Sequence, residues 1–302
     1  MFKAKLLASV IAIAAVCAFN STGFAATRCP FNGNYSFNFF DPAFNVAGVG
    51  YFTVQLDPRT KCRSGVVLPG GILNCYGSPD MIFEDFIEDG FVFLESDGEG
   101  TMEIETNSSN GICDTGTNAV ELDISVVQAG KSVLFNTDGE EFASSGLIPQ
   151  AGYFGTLTGR ADKCFAGQIS GCYDLRFFAP ADSVVGDCTV CVNGAGGVTG
   201  GTCRCNTIGV SSPGGGFEFL SEIETGGYTL GENCQSSTGY LWLETSSDPI
   251  CGVESAVAID FAVAQQGKEI LGACDTAEFI LNNTSLRNAG FFDACSVEGF
   301  LQ

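Results

Sequence analysis

The sequence predicts an all-β protein: two tandem antiparallel meander barrels, braced by disulfides. Three observations carry that prediction. A unit of about 138 residues occurs twice in the 302-residue chain. Within each copy apolar and polar residues alternate with period two, the pattern of a half-buried strand, and no helical period is sustained beyond the N-terminal segment. The chain carries 15 cysteines and no histidine. β-Sandwiches are the alternative within the same class.

The first 25 residues read as a signal peptide. Lys3 and Lys5 precede an uncharged apolar run from Leu6 to Phe19. Gly23 and Ala25 then place small residues at −3 and −1 of a cleavage site after Ala25. No later segment approaches 18 apolar residues, so the mature chain is expected to have no transmembrane span. Cys17 follows Val16, a poor match to a lipidation site. The mature chain keeps 11 basic and 35 acidic residues, a net charge of −24. That charge argues against any nucleic-acid partner.

The first β-barrel repeat is expected over 26–166 and the second over 167–302. Gly33–Pro42 matches Gly171–Pro180 at an offset of 138, and Gly50–Leu56 matches Gly186–Val192 at 136. Glu105-Thr106 matches Glu244-Thr245 at 139, and Ile112-Cys113 matches Ile250-Cys251 at 138. Val126–Lys131 matches Val263–Lys268 at 137, and Ala151–Phe154 matches Ala289–Phe292 at 138. Six blocks in one order with drifting offsets describe one ancestral module with small loop changes.

About eight to nine strands are expected in each copy; in the first they lie near 34–40, 48–56, 62–68, 81–87, 90–96, 100–106, 119–127, 132–137 and 152–159. Asp80–Asp89 is the weakest of these and has room for a helical turn. Val120, Leu122, Ile124 and Val126 should be buried, with Glu121 and Asp123 exposed; Val257, Ile259, Phe261 and Val263 repeat the apolar set. Asp97-Gly98 reads as a tight hairpin turn. Gln128–Lys131 and Gln265–Lys268 read as matched turns in which glycine supplies a positive φ and lysine is exposed. A meander of this length closes into a barrel to remove its exposed edges.

Without Cys17 the mature chain has 14 cysteines, an even number, and export makes them disulfide candidates: Cys29, Cys62, Cys75, Cys113, Cys164, Cys172, Cys188, Cys191, Cys203, Cys205, Cys234, Cys251, Cys274 and Cys295. Each pair should bring its Cα atoms within about 4.4–6.8 Å. Five fall in the first copy and nine in the second, so full pairing needs a crossing bridge. Cys164 is the expected crossing residue, with Cys172 its nearest candidate partner. Bridges are also expected between Cys188/Cys191 and Cys203/Cys205. Cys188 and Cys191, three apart, point to opposite faces of a regular strand, whereas Cys203 and Cys205 share one. Zinc would want a second C-x-x-C, and a redox C-x-x-C would want a strand-then-helix context.

Gly33-Asn34-Tyr35-Ser36-Phe37, Gly50-Tyr51-Phe52-Thr53-Val54 and the hairpin Asp97–Ile104 resemble exported bacterial β-barrel proteins of the calycin-like type. The resemblance covers most of each copy and implies an up-and-down barrel, here as a tandem duplication. Its motifs are structural and imply no activity. The second copy departs from the hairpin motif, with Asn233-Cys234-Gln235-Ser236 in place of the Asp-Gly turn.

Without histidine there is no Ser-His-Asp or Cys-His centre and no His-ligated metal. The Gly-rich run Asn193–Gly201 lacks the Gly-Lys-Ser/Thr ending of a phosphate loop and reads as a hairpin loop, as does Pro213–Gly216. Glu103 with Glu105, or Glu244, are candidates for a carboxylate pair, but outward acids on a strand are ordinary. Glu95–Glu99, Asp138–Glu141 and Asp80–Asp89 are oxygen-rich without a calcium-loop pattern. Asn107, Asn282 and Asn283 fit the glycosylation sequon. No catalytic residue, metal or cofactor is expected.

The expected function is that of a secreted or cell-surface, non-enzymatic β protein with a structural, adhesive or assembly role. Its partners would be further copies of itself or other surface components. The alternatives are an extracytoplasmic carrier of small apolar ligands in the barrel interior, and a barrel-type isomerase or cyclase. The free volume inside each barrel discriminates among them.

Overall fold

A computed structural model of the chain describes residues 29–41, 46–77, 81–109, 111–114, 118–137, 158–165, 167–179, 184–207, 218–231, 239–245, 256–274 and 295–302. The N-terminal segment expected to be a signal peptide, with Cys17, the acidic run Asp138–Glu141, the repeat blocks Ala151–Phe154 and Ala289–Phe292, the Pro213–Gly216 run, Asn233–Ser236, Ile250-Cys251, Asn282 and Asn283 lie outside the described residues.

Eight strands form a closed antiparallel barrel in chain order: β1 (Gly33–Asp41), β2 (Val46–Leu56), β3 (Ser64–Gly77), β4 (Met81–Leu94), β5 (Glu99–Thr106), β6 (Ala119–Val127), β7 (Ser132–Asn136) and β8 (Thr158–Lys163). β1 closes on β8, with Tyr35 opposite Lys163 and Phe37 opposite Ala161. The second sheet comprises β9 (Gly171–Ala179), β10 (Val184–Val192), β11 (Val198–Thr207), β12 (Glu218–Ile223), β13 (Thr225–Thr229), β14 (Gly239–Glu244), β15 (Ala256–Ala264), β16 (Glu269–Cys274) and β17 (Ser296–Leu301). Its order is β12-β11-β10-β9-β17-β16-β15-β14-β13, so the sheet is nearly closed. Among the described residues the only helical elements are three single 3-10 turns.

The two sheets correspond strand by strand. β1, β2 and β3 match β9, β10 and β11; β5 to β8 match β14 to β17. β4 is one 14-residue strand with a bulge between Ile87 and Asp89, whereas its counterpart is cut at Glu224 into β12 and β13. The gap in the second sheet falls at this cut. A single bridge between Gly197 and Gly227 spans it.

Two expectations change here. The strands expected at 81–87 and 90–96 are one strand, because a bulge absorbs the extra residue instead of a turn; Asp80–Asp89 accordingly holds no helical turn among its described residues. The 136 offset is a two-residue slip. Phe39 pairs with Gly48 and Phe177 with Gly186, so Gly186 matches Gly48 at an offset of 138. A slip of two preserves which face each residue takes, so the sequence pattern did not reveal it. In both copies the phenylalanine ring lies across the glycine and fills the place of a side chain.

Val120, Leu122 and Ile124 are buried in the first core, as are Val257, Ile259, Phe261 and Val263 in the second. Val126 is only partly buried, near the end of its strand. Glu121 and Asp123 are half-buried, not exposed, because neighbouring strands β5 and β7 crowd them. The matched turns form as expected: Gly130 and Gly267 both have φ +81°, and Lys131 and Lys268 are exposed. A Cβ at Gly130 would lie 2.2 Å from the carbonyl oxygen of Pro30. Each turn is tied to its barrel by the tyrosine of the opening strand. Tyr35 donates to the Gly130 carbonyl at 2.5 Å, and Tyr173 donates to that of Gly267. Burial pushes both phenols above their ordinary range.

Candidate functional site

Among the described residues the barrel interiors keep only small cavities. A cavity of about 50 Å³ remains in the first, between Phe37, Phe52, Met102, Ile104 and Phe135. The second keeps about 20 Å³, between Leu175, Leu243, Ile259 and Val297. Small-molecule pockets run to roughly 300–1,000 Å³.

Five disulfides are placed: Cys29–Cys62, Cys75–Cys113, Cys172–Cys191, Cys188–Cys203 and Cys274–Cys295. Cys164 and Cys205 are also disulfide-bonded. Cys172 is therefore not the partner of Cys164, because Cys191 lies directly opposite it across β9 and β10. Nor do Cys188 and Cys191 both bridge to β11. Their opposite facing sends Cys188 into the core to Cys203, and Cys191 to the neighbouring strand on the other side. Both cross-strand pairs have Cα atoms 3.9 Å apart, tighter than expected, because their residues are directly opposed in register. Cys29, Cys62, Cys75 and Cys113 pair among themselves, so the Cys164 bridge goes to none of them.

Cys75, Asp85 and Cys113 bring metal-ligand atoms within 4.8 Å of one another. Both sulfurs are consumed by their disulfide, and Asp85 accepts from the backbone N–H of Cys113 at 2.8 Å, so the cluster is a structural clasp. The Gly-rich run at 193–201 joins β10 to β11 as a hairpin, with the Asn193 carboxamide oxygen accepting from the N–H groups of Ala195 and Gly197. Glu103 and Glu105 lie on the outer wall of the first barrel, and Glu244 is half-buried at the matching place on the second.

A polar cluster that the sequence did not announce lies at the seam between the barrels. The outer face of β1–β3 packs on the outer face of β15–β17. Phe40, Ala47, Val49, Tyr76, Ala262 and Ala273 form its apolar part, and Phe40 meets Phe178 edge-on with centroids 5.6 Å apart. Ser36 Oγ donates to the Val263 carbonyl at 3.1 Å, and Asn38 Nδ2 to that of Val297 at 3.0 Å. Asp260 accepts from Asn74 at 3.2 Å and from the Tyr76 hydroxyl.

Beside this patch, Arg160 Nε lies 2.7 Å from Asp162 Oδ2, and its Nη2 lies 2.9 Å from Glu269 Oε1. Asp162 and Glu269 are fully buried. Ser132 and Gln265 also donate to Asp162. Burial, then the Asp162 charge, push the Glu269 carboxyl up to about 7, against the pull of Arg160. With one proton on the carboxylate pair the trio is neutral; without it, a negative charge is buried. Alongside the seam an open cleft of about 740 Å³ runs between Leu134 and Arg160 on one barrel and Arg176, Phe178 and Glu298 on the other. No protein-family model matches the chain, and no curated protein matches it.

Proposed function

We propose that the mature chain is a non-enzymatic secreted or cell-surface protein with a structural, adhesive or assembly role, and that its two barrels are diverged copies of an exported calycin-like barrel. The observation that carries this reading is the small size of the interior cavities among the described residues, about 50 and 20 Å³, which leaves the outer walls as the working surface. The five placed disulfides fit an oxidising environment, and among the described residues no helix is long and apolar enough to cross a membrane. The interior volumes favour this reading over a carrier or cyclase, each of which needs a chamber for its ligand.

Native mass spectrometry of the purified, oxidised chain tests it, together with titration by a fluorescent fatty-acid analogue. The expected result is a bare mass and no saturable uptake. A stoichiometric co-purifying lipid, or saturable uptake lost when Phe37 or Met102 is changed, would replace the reading with a carrier.

A further inference from the structure

In a barrel closed in chain order, β5 lies across the axis from β1, so β4–β6 form the wall facing away from the seam. The outward positions of β4 and the residue that follows it carry large apolar and acidic side chains. Ile82, Phe86, Phe91 and Phe93 are interleaved with Glu84, Glu88, Asp89 and Glu95, and every one of them is exposed. Phe86, Phe91 and Phe93 are 46%, 43% and 49% exposed. Val66, the register partner of Phe91 on β3, continues the stripe.

The acids continue onto the neighbouring strands. Glu103 lies opposite both Phe91 and Glu121, and Asp89 lies opposite Glu105. From Ser64 to Gly130 the chain has 13 acidic residues and no lysine or arginine. Like charges set opposite one another on a sheet are destabilising. Burial, followed by Glu105, Glu121 and Asp89, pushes the Glu103 carboxyl up to about 7. A solvent-facing wall that holds three phenylalanines among carboxylates, with no ion pair to them among the described residues, is built at a cost in stability and solubility.

We propose that this wall is a docking surface for a basic polypeptide partner that presents lysine or arginine around an apolar ridge. Charge complementarity selects that partner. A second copy of this chain, at net charge −22, would set acid against acid, and anionic lipid would be repelled. The closed barrel offers no free strand edge, so recognition runs through side chains: basic groups meet the carboxylates while their aliphatic stems and apolar neighbours cover the phenylalanines. The proposal rests on the surface reading above and supplies its partner class.

The test titrates the intact oxidised chain with three probes: a labelled peptide of about 12 residues alternating lysine and leucine, a lysine homopolymer of the same length, and a soluble neutral polysaccharide. The alternating peptide should bind at least about tenfold more tightly than the homopolymer, and both should weaken between about 50 and 500 mM salt. The triple variant Phe86→Ser, Phe91→Ser, Phe93→Ser should lose at least about tenfold for the alternating peptide only. The triple variant Glu84→Gln, Glu88→Gln, Glu103→Gln should lose affinity for both peptides. Unchanged circular-dichroism melting shows that each variant folds. Equal binding of the two peptides, or serine variants that bind like the parent, would overturn the proposal. Salt-insensitive polysaccharide binding lost in the serine variants would assign the wall to glycan instead. The native-mass result above stands apart from all these outcomes.

Discussion

β6 and β15 occupy the same place in the two barrels, with apolar inner faces in both and unlike outer faces. Inward, Val120, Leu122 and Ile124 match Val257, Ile259 and Phe261, all buried. Outward, Glu121, Asp123, Ser125 and Val127 in the first barrel stand where the second has Ala258, Asp260, Ala262 and Ala264. The first set is half-buried on a free wall. In the second set all three alanines are buried, Ala262 against the first barrel. The inside of each barrel is governed by the volume it must fill, and the outside by what it touches. Acids suit water; alanines let two sheets approach. At the opposite face the exchange is mirrored: Ser36, Asn38 and Val49 serve the seam, while Asp174, Arg176 and Asp187 stand in their places on β9 and β10. One seam is specified, and its counterpart on the other pair of faces is filled with charge.

The comparison breaks first at the shared interior. Leu122→Asp and Ile259→Asp each bury an unpaired carboxyl and should each cost more than about 4 kcal/mol, unfolding the barrel that carries it. Near- and far-ultraviolet circular dichroism with urea measures this. A variant that melts like the parent would show that the inner faces are not equivalent.

The seam cluster comes next. Arg160→Met leaves two buried carboxylates facing each other and should cost about 3 kcal/mol near pH 8 and less near pH 5. In the parent, the Glu269 carboxyl lies above its unfolded value, raised by burial and by Asp162 and Glu298 against Arg160. The folded state then holds the proton that the unfolded state releases. This contribution is complete below about pH 4.5 and is lost as the pH climbs through about 7, by up to about 3 kcal/mol. Glu269→Gln should flatten that slope in a pH series of urea midpoints; an unchanged slope would move the effect elsewhere.

Ala262→Glu should weaken docking by about 2–3 kcal/mol with both barrels folded, while Ser125→Glu at the matching position should cost less than about 1 kcal/mol. Small-angle scattering and two-step melting would separate the outcomes, and equal effects would end the distinction between the two outer faces. The smallest expected effect is also the most symmetric. Tyr35→Phe and Tyr173→Phe each remove one hydrogen bond to a turn glycine and should each cost about 1–2 kcal/mol.

The fold was legible because its signals are local and repeated. Period two in Val120–Val126, Gly98 in the β4–β5 turn and the matched Gly130 and Gly267 turns each report on a few neighbouring residues. The β4 bulge was not legible, since Phe86–Phe93 carries strong strand propensity on both sides of an ordinary Glu88-Asp89. Nor was the seam. Asp162 and Glu269 lie more than 100 residues apart, and each alone reads as a surface acid on an alternating strand. A signal did exist in the alanines of β15, which replace acids at matched positions, but its meaning depends on knowing which walls meet. The pairing of Cys172 with Cys191 needed the register of β9 on β10, which spacing alone does not give.

Closure also decides how each unit bears a load. The first strand of each barrel pairs antiparallel with the last, and Tyr35 lies opposite Lys163 as Tyr173 lies opposite Leu301. The chain therefore enters and leaves each barrel at one rim. Tension along the backbone would open that strand pair rung by rung, like a zip, instead of shearing all its hydrogen bonds at once. The Cys172–Cys191 bridge fastens β9 to β10 on the far side of the opening pair, and the Cys274–Cys295 bridge holds the start of β17 to β16, so β17 peels from its C-terminal end only as far as Cys295. A pulling experiment on this protein should meet low, sequential resistance from the second barrel, checked by disulfide-locked segments of fixed length.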